Sequence, residues 1–98
     1  MFGLFRSKKK EIIQKYLKED ALLLDVRTAS EFNRNNIQGS TNIPSQVINQ
    51  KIDCLDKDKP VIVYCAMGGR SNLVATKLKA QGFKVVNAGG INFMRKHL

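Results

Sequence analysis

Ninety-eight residues, 43% of them apolar and 26% charged, have a globular balance in a chain too short for two ordinary domains, which excludes a large multidomain enzyme and a disordered segment. Seventeen Lys and Arg against eight Asp and Glu give a formal net charge of +9, and no acidic residue follows Asp58, so the C-terminal half carries a field suited to small anions, acidic proteins or nucleic acid. Neither of two long uncharged stretches, 35–50 and 60–69, approaches the ~20 apolar residues that a membrane span needs.

At the N-terminus, Met1 to Phe5 form a short apolar patch with Arg6 and Lys8 to Lys10 behind it. A secretory leader has the opposite order, basic before apolar. Together with the two cysteines, Cys54 and Cys65, too few for a disulfide scaffold, this gives a reducing, cytoplasmic setting as the expectation. The patch is expected to pack as a terminal strand, with contact to a membrane surface as the alternative. From Lys9 to Glu19, the spacing of Ile12, Ile13, Tyr16 and Leu17 predicts an amphipathic helix. Leu22, Leu23, Leu24 and Val26 form a short apolar run interrupted by Asp25, as in a strand covered on both faces.

Thr28 and Glu31 are spaced as a capping box that opens a short helix through Phe32 and Arg34, and Gly39 closes the loop beyond it. Thr41 to Ile43 predict another short strand, stopped by Pro44, and Ser45 is placed to cap a helix carrying Val47, Ile48 and Ile52. Cys54, beside Ile52 and Leu55, reads as a small core residue, with a resolving thiol as the alternative. After Pro60, the β-branched run Val61, Ile62, Val63 and Tyr64 predicts a buried strand that leads directly into Cys65, Gly68 and Gly69. A helix follows on Leu73, Val74, Lys77 and Leu78, ended by Gly82 as a left-handed cap. Phe83, Val85 and Val86 predict a last strand, and Gly89 and Gly90 a turn into a C-terminal helix from Ile91, with Phe93 and Met94 covering the core. Buried strands alternating with helices indicate an α/β fold: a small, mostly parallel sheet of four or five strands with helices on both faces, filling residues 1–98 as one domain.

In such sheets ligands sit beyond the carboxyl ends of the strands, where loops lead into helix N-termini, and Cys65 stands at that place. Gly68 and Gly69 allow successive N–H groups to converge on its sulfur, and the helix dipole and Arg70 favour thiolate over thiol. The sole histidine, His97, is one residue from the C-terminus, which disfavours a cysteine-histidine dyad, and Cys54 and Cys65 lack the close-pair spacing of a zinc site. No metal and no cofactor is called for. The alternative for Cys65 is an inert buried thiol. Asp25, Arg27 and Glu31 read as a structural trio: an Arg27–Glu31 pair at helical reach, and Asp25 accepting loop or helix N–H groups. No aromatic-rich basic stripe favours base stacking, so nucleic acid is not the expected partner.

Taken in order, Leu24-Asp25-Val26-Arg27, Glu31-Phe32, Ile37-Gln38-Gly39-Ser40, Asn42-Ile43-Pro44, Val63-Tyr64-Cys65 through Arg70-Ser71, Gly82-Phe83 and Gly89-Gly90-Ile91 resemble small, single-domain rhodanese-like sulfurtransferases, over roughly Leu22 to Met94. The resemblance implies a small parallel sheet flanked by helices. It makes Cys65 the sulfur-carrying nucleophile and Ala66, Met67, Gly68, Gly69 and Arg70 the substrate-binding loop. Three departures stand out. Asn35-Asn36 replace a common Gly-His, Met94 replaces a frequent tryptophan, and Ala66-Met67 replace basic or hydroxylic residues that face the donor in the family.

Four residues separate Cys65 from Arg70, one fewer than in related phosphatases, and the tighter cradle suits one terminal sulfur atom better than a phosphate. The implied function is transfer of sulfane sulfur from a small anionic donor such as thiosulfate, through a Cys65 persulfide, to an acidic acceptor protein or a low-molecular-weight thiol. A non-catalytic protein-binding or persulfide-relay module is the alternative. Arg70 would hold the donor's anionic end, fix the loop, or both, and Met67 would be a loop-tip contact for an acceptor.

Overall fold

The computed structural model describes the backbone of residues 2–98 and the side chains of residues 8–98. The first helix, α1, runs Phe2–Lys18. Helix therefore replaces the expected terminal strand over residues 2–5. The stretch 2–7 has no β-branched residue and continues into good helix formers. Membrane contact by this patch falls on side chains outside the described residues. The predicted apolar face is present further along: Ile13 is buried, and Ile12, Tyr16 and Leu17 pack around it. Lys15 and Lys18 favour the C-terminal end of the dipole, and Asp20 then turns the chain with φ 60°, in the left-handed region that Asp tolerates.

Four strands follow, β1 (Leu22–Asp25), β2 (Thr41–Asn42), β3 (Val61–Cys65) and β4 (Val85–Gly90), in the spatial order β2-β1-β3-β4, with every pairing parallel. Successive residues of β3 face opposite sides, and all five are buried. Val61, Val63 and Cys65 join Leu24, Val85 and the apolar residues of α4 (Gly69–Ala80) on one side. Ile62 and Tyr64 join Val86, Ala88, Ile13 of α1 and Met94 of α5 (Ile91–Lys96) on the other. Met94 is fully buried and Phe93 half-buried, the core cover expected of both.

The remaining helices are α2 (Ala29–Arg34) and a short α3 (Ile48–Lys51). Where one helix capped by Ser45 is predicted, the chain makes three single turns: 3₁₀ over Ser45–Val47, α3, and 3₁₀ over Ile52–Cys54. Ser45 lies inside the first turn and makes no cap. The segment buries Ile48 and Ile52, and Cys54, two positions beyond Ile52, turns outward; it is exposed, not a core residue. Leu73, counted on the apolar face of α4, is also exposed, and Val74, Ala75 and Leu78 make the contact instead. The end of α4 matches expectation. Gly82 has φ 94°, its N–H donates to Lys79 O at 3.1 Å, and Phe83 N–H reaches Leu78 O at 3.1 Å, the crossed pair of a Schellman motif.

The predicted Gly89-Gly90 turn is absent. β4 runs through both glycines, and the register slips between Val63 and Tyr64, so that Tyr64 faces Gly89 and Cys65 faces Gly90. The extra residue is a bulge that bends the strand end toward the loop after β3, with Gly89 at φ 83°. Among the described residues, no helix is long and apolar enough to cross a membrane.

Candidate functional site

Cys65 is the last residue of an interior strand and only 1% exposed. The three residues after it, Ala66 to Gly68, fold the chain back over the sulfur before α4 begins at Gly69. Gly68 N–H donates to Cys65 Sγ at 2.9 Å and Ser71 N–H at 3.4 Å, and Ser71 Oγ lies 3.3 Å from the same atom. The turn depends on Gly68, whose φ of 113° is costly for any residue with a Cβ. Gly90 is constrained differently. A Cβ there would stand 2.7 Å from Ala66 O, so the end of β4 supports the loop backbone at a distance that only glycine permits.

These contacts determine the ionisation of the thiol. Burial pushes the Cys65 thiol up, because a buried thiolate loses its hydration; the Ser71 hydroxyl and the N–H groups of Ser71, Gly68 and Met67 pull it down, and the net result is below its ordinary value. The N-terminus of the 12-residue α4 adds a positive partial charge at the same point. Ser71 is suited to both protonation states. Its Oγ lies 3.1 Å from Gly68 O and 3.4 Å from Gly89 O, so the hydroxyl donates to a carbonyl while Cys65 is a thiol and can rotate toward a thiolate.

Arg70, in the first turn of α4, reaches Glu31 of α2. Its Nη1 lies 2.6 Å from Glu31 Oε1 and its Nη2 3.0 Å from Oε2, a two-pronged pair. Glu31 is itself fixed by the predicted capping box. Thr28 N–H and Oγ1 donate to Oε1 at 3.1 and 3.0 Å, and Glu31 N–H returns a bond to Thr28 Oγ1 at 3.2 Å. The Arg70 guanidinium, with help from the Thr28 N–H, holds the Glu31 carboxyl down to about 2.

The expected Arg27–Glu31 pair does not form, because Arg27 precedes the cap and lies off the face of α2. Arg27 instead holds buried Asp25, with Nη2 2.7 Å from Oδ2, Nε 3.0 Å from Oδ1, and its own N–H 2.9 Å from Oδ1. Asp25 thus does accept a loop N–H, as predicted. Asn42 Nδ2 donates to the carbonyls of both Asp25 and Arg27 and fixes the loop after β1.

Of the segment singled out in the sequence, the N–H groups of Met67 and Gly68 approach the Cys65 sulfur, and the residues differ in exposure. Met67 is 93% exposed, Ala66 and Gly69 are exposed, and Gly68 and Arg70 are half-buried. His97 lies at the end of α5 against Phe93, ring centroids 4.4 Å apart. Sequence reasoning missed the site contacts of Ser71 and Glu31. A hydroxyl in the first turn of the helix behind Cys65 was the available signal for Ser71; local sequence offered none for the partner of Glu31.

The family model for the rhodanese-like domain matches residues 9–93 of this chain. The chain belongs to that family. The rhodanese-like match takes in most of α1, beyond the expected span of about 22–94. The thiosulfate sulfurtransferase GlpE of Coxiella burnetii is 33% identical over 82 residues, covering 82% of this chain and 77% of the relative. A tRNA sulfurtransferase of Desulfurococcus amylolyticus is 35% identical over 71 residues; the match covers 72% of this chain and spans 14% of that much longer protein. Among solved structures, a rhodanese-related protein from Thermoplasma volcanium superposes with a TM-score of 0.76 at 30% identity, covering 89% of this chain and 88% of that one. The expected architecture agrees with this rhodanese-like fold, with four strands and all of them parallel.

Proposed function

We propose that this rhodanese-like domain is a sulfurtransferase that takes sulfane sulfur from a small anionic donor such as thiosulfate onto Cys65 and passes it to a thiophilic acceptor. The observation that carries this reading is the convergence of the Gly68 and Ser71 N–H groups on Cys65 Sγ. The Cys65 thiolate attacks the outer sulfur of thiosulfate; the sulfur–sulfur bond of the donor breaks, and sulfite leaves with the bonding pair. A Cys65 persulfide remains, its terminal negative charge directed into the N–H groups of the loop. An acceptor thiolate, or cyanide in an assay, then attacks the outer sulfur and the Cys65 thiolate departs.

The positions of Ala66, Met67, Gly68 and Gly69 support a role for this loop in surrounding the transferred sulfur. Arg70 has five N–H donors, of which Glu31 engages two. We assign it both fixing the start of α4 and presenting positive charge to the donor. Acceptors of the expected kinds, an acidic protein or a low-molecular-weight thiol, fit a basic chain working in a reducing cytoplasm.

A second reading, a binding or persulfide-relay module, draws on one feature: Met67 projects from the loop tip with 93% of its surface exposed, ready for a protein partner. Intact mass after thiosulfate treatment separates the two from inert chemistry. A dithiothreitol-reversible gain of about 32 Da on Cys65, absent in Cys65→Ser, is the expected result. No gain with any sulfane donor removes the sulfurtransferase reading. A gain without turnover to cyanide or thiol acceptors favours the relay.

A further inference from the structure

Away from Cys65, a groove of about 400 Å³ follows the free edge of β4, walled by Lys8 and Lys9 of α1 and Lys79 of α4, with Val85 and Asn87 at its floor. Among the described residues, β4 is an outer strand whose sole strand neighbour is β3. Val61 N–H donates to Lys84 O at 2.9 Å, and Val61 pairs with Val85. In a parallel ladder this turns both backbone groups of Val86 toward β3 and those of Val85 and Asn87 outward. Among the described residues, nothing else hydrogen-bonds to these outward groups. They are spaced for alternate residues of an added strand, about 6.6 Å apart along the chain. The bulge and the Gly89 N–H bond to Asn87 Oδ1 interrupt the regular alternation of outward groups just beyond.

The walls define which strand fits. None of the three lysines forms an ion pair among the described residues, although Lys9 Nζ stands 5.7 Å from the Phe93 ring centroid. Lysines beside an open edge deter neutral strands, which would have to dehydrate ammonium groups without compensation. A strand bearing carboxylates supplies that compensation. A second copy of this chain would bring its own lysines against these, and a nucleic acid would leave the outward amide and carbonyl groups of Val85 and Asn87 unpaired.

We propose that the free edge of β4 binds an extended acidic peptide segment of a partner protein by strand addition, with Lys8, Lys9 and Lys79 receiving its carboxylates. This binding does not involve the Cys65 thiol, so it stands or falls separately from sulfur transfer.

The test is fluorescence anisotropy with a labelled peptide alternating glutamate and valine. Parallel arms use the same peptide N-methylated at alternate residues, which keeps the charge and loses the ladder, and an oligothymidylate of equal charge. The plain peptide should bind and shift the amide resonances of Val85 and Asn87. Methylation should weaken it about tenfold or more, the worth of two lost ladder bonds. Charge reversal in the Lys8→Glu/Lys79→Glu double variant should weaken it about as much, whereas Lys51→Glu, an exposed lysine on α3, should not. Equal binding of the methylated peptide, tighter binding of the oligonucleotide, or no binding to the folded chain overturns the proposal.

Discussion

Arg70 and Glu31, 39 residues apart in sequence, form a two-pronged ion pair that joins the first turn of α4 to the first turn of α2. The same carboxylate closes the capping box of α2, so one side chain holds two helix starts at the carboxyl edge of the sheet. The loop carrying Cys65 is thereby braced on the β1 side by Glu31 and on the β4 side by Gly90.

Substitutions at Glu31 separate cap from brace. Glu31→Gln keeps a capping-box side chain and loses the charge; because both partners are about one-third exposed, the stability loss should be about 0.5 kcal/mol. Glu31→Ala removes the box as well, for about 1–2 kcal/mol in all. Urea denaturation gives both values. Equal losses would show that the cap contributes nothing.

The same carboxyl predicts a pH effect. Its folded value of about 2 lies below the ordinary glutamate value of about 4.3, so its stabilising contribution is complete above the latter and fades as the pH falls toward the former. Wild type should therefore lose more stability than Glu31→Gln across that acid interval, and parallel curves would contradict the linkage.

Cys65 should alkylate as a thiolate at lower pH than an unstructured cysteine, since its ionisation is shifted downward. Ser71→Ala removes one stabilising hydroxyl, moving the alkylation profile upward in pH and lowering kcat/KM for sulfur transfer about tenfold. An unchanged profile in a folded Ser71→Ala chain would refute the role given to that hydroxyl.

Glycine substitutions should be ranked by the space around each residue. Gly90→Ala forces a Cβ against Ala66 O and should cost about 1–3 kcal/mol while displacing the loop. Gly68→Ala is strained by its positive φ, by about 1–2 kcal/mol. Gly69→Ala meets nothing within 4 Å at the start of α4 and should be neutral or stabilising by up to about 1 kcal/mol. Thermal melts and persulfide yield order the three, and a Gly69→Ala defect as large as that of Gly90→Ala would refute the ranking.

Cys54 is exposed, so Cys54→Ser should change stability by less than about 0.5 kcal/mol and leave transfer intact. A fall in turnover with unaltered stability would instead make Cys54 a resolving thiol.

What the sequence made legible was local. The apolar run Val61 to Tyr64 of β3, which the structure extends by one residue to Cys65, the Gly-rich loop, the Thr28–Glu31 box and the Gly82 cap each depend on neighbours within a few positions, and each is in the structure. The partner of Glu31 was not legible, because Arg70 reaches it only after β1 and β3 are paired. Nor was the path of β4 through Gly89 and Gly90, which a glycine pair written out in sequence describes as a turn and a slipped register turns into strand. Residues 45–54 bury Ile48 and Ile52, spaced as one helix face would bury them, and nothing in their local pattern marks the breaks into single turns.

Cys65 and Met67 are two residues apart, yet one is sealed beneath the sheet edge and the other stands almost wholly in solvent. On the proposed function, chemistry and recognition are thereby uncoupled along a single short stretch of chain. The outward pair at 66 and 67 is open to revision at little thermodynamic penalty, while the atoms around the sulfur stay put, so descendants of this scaffold can be retargeted by drift at two sites without rebuilding the reactive centre.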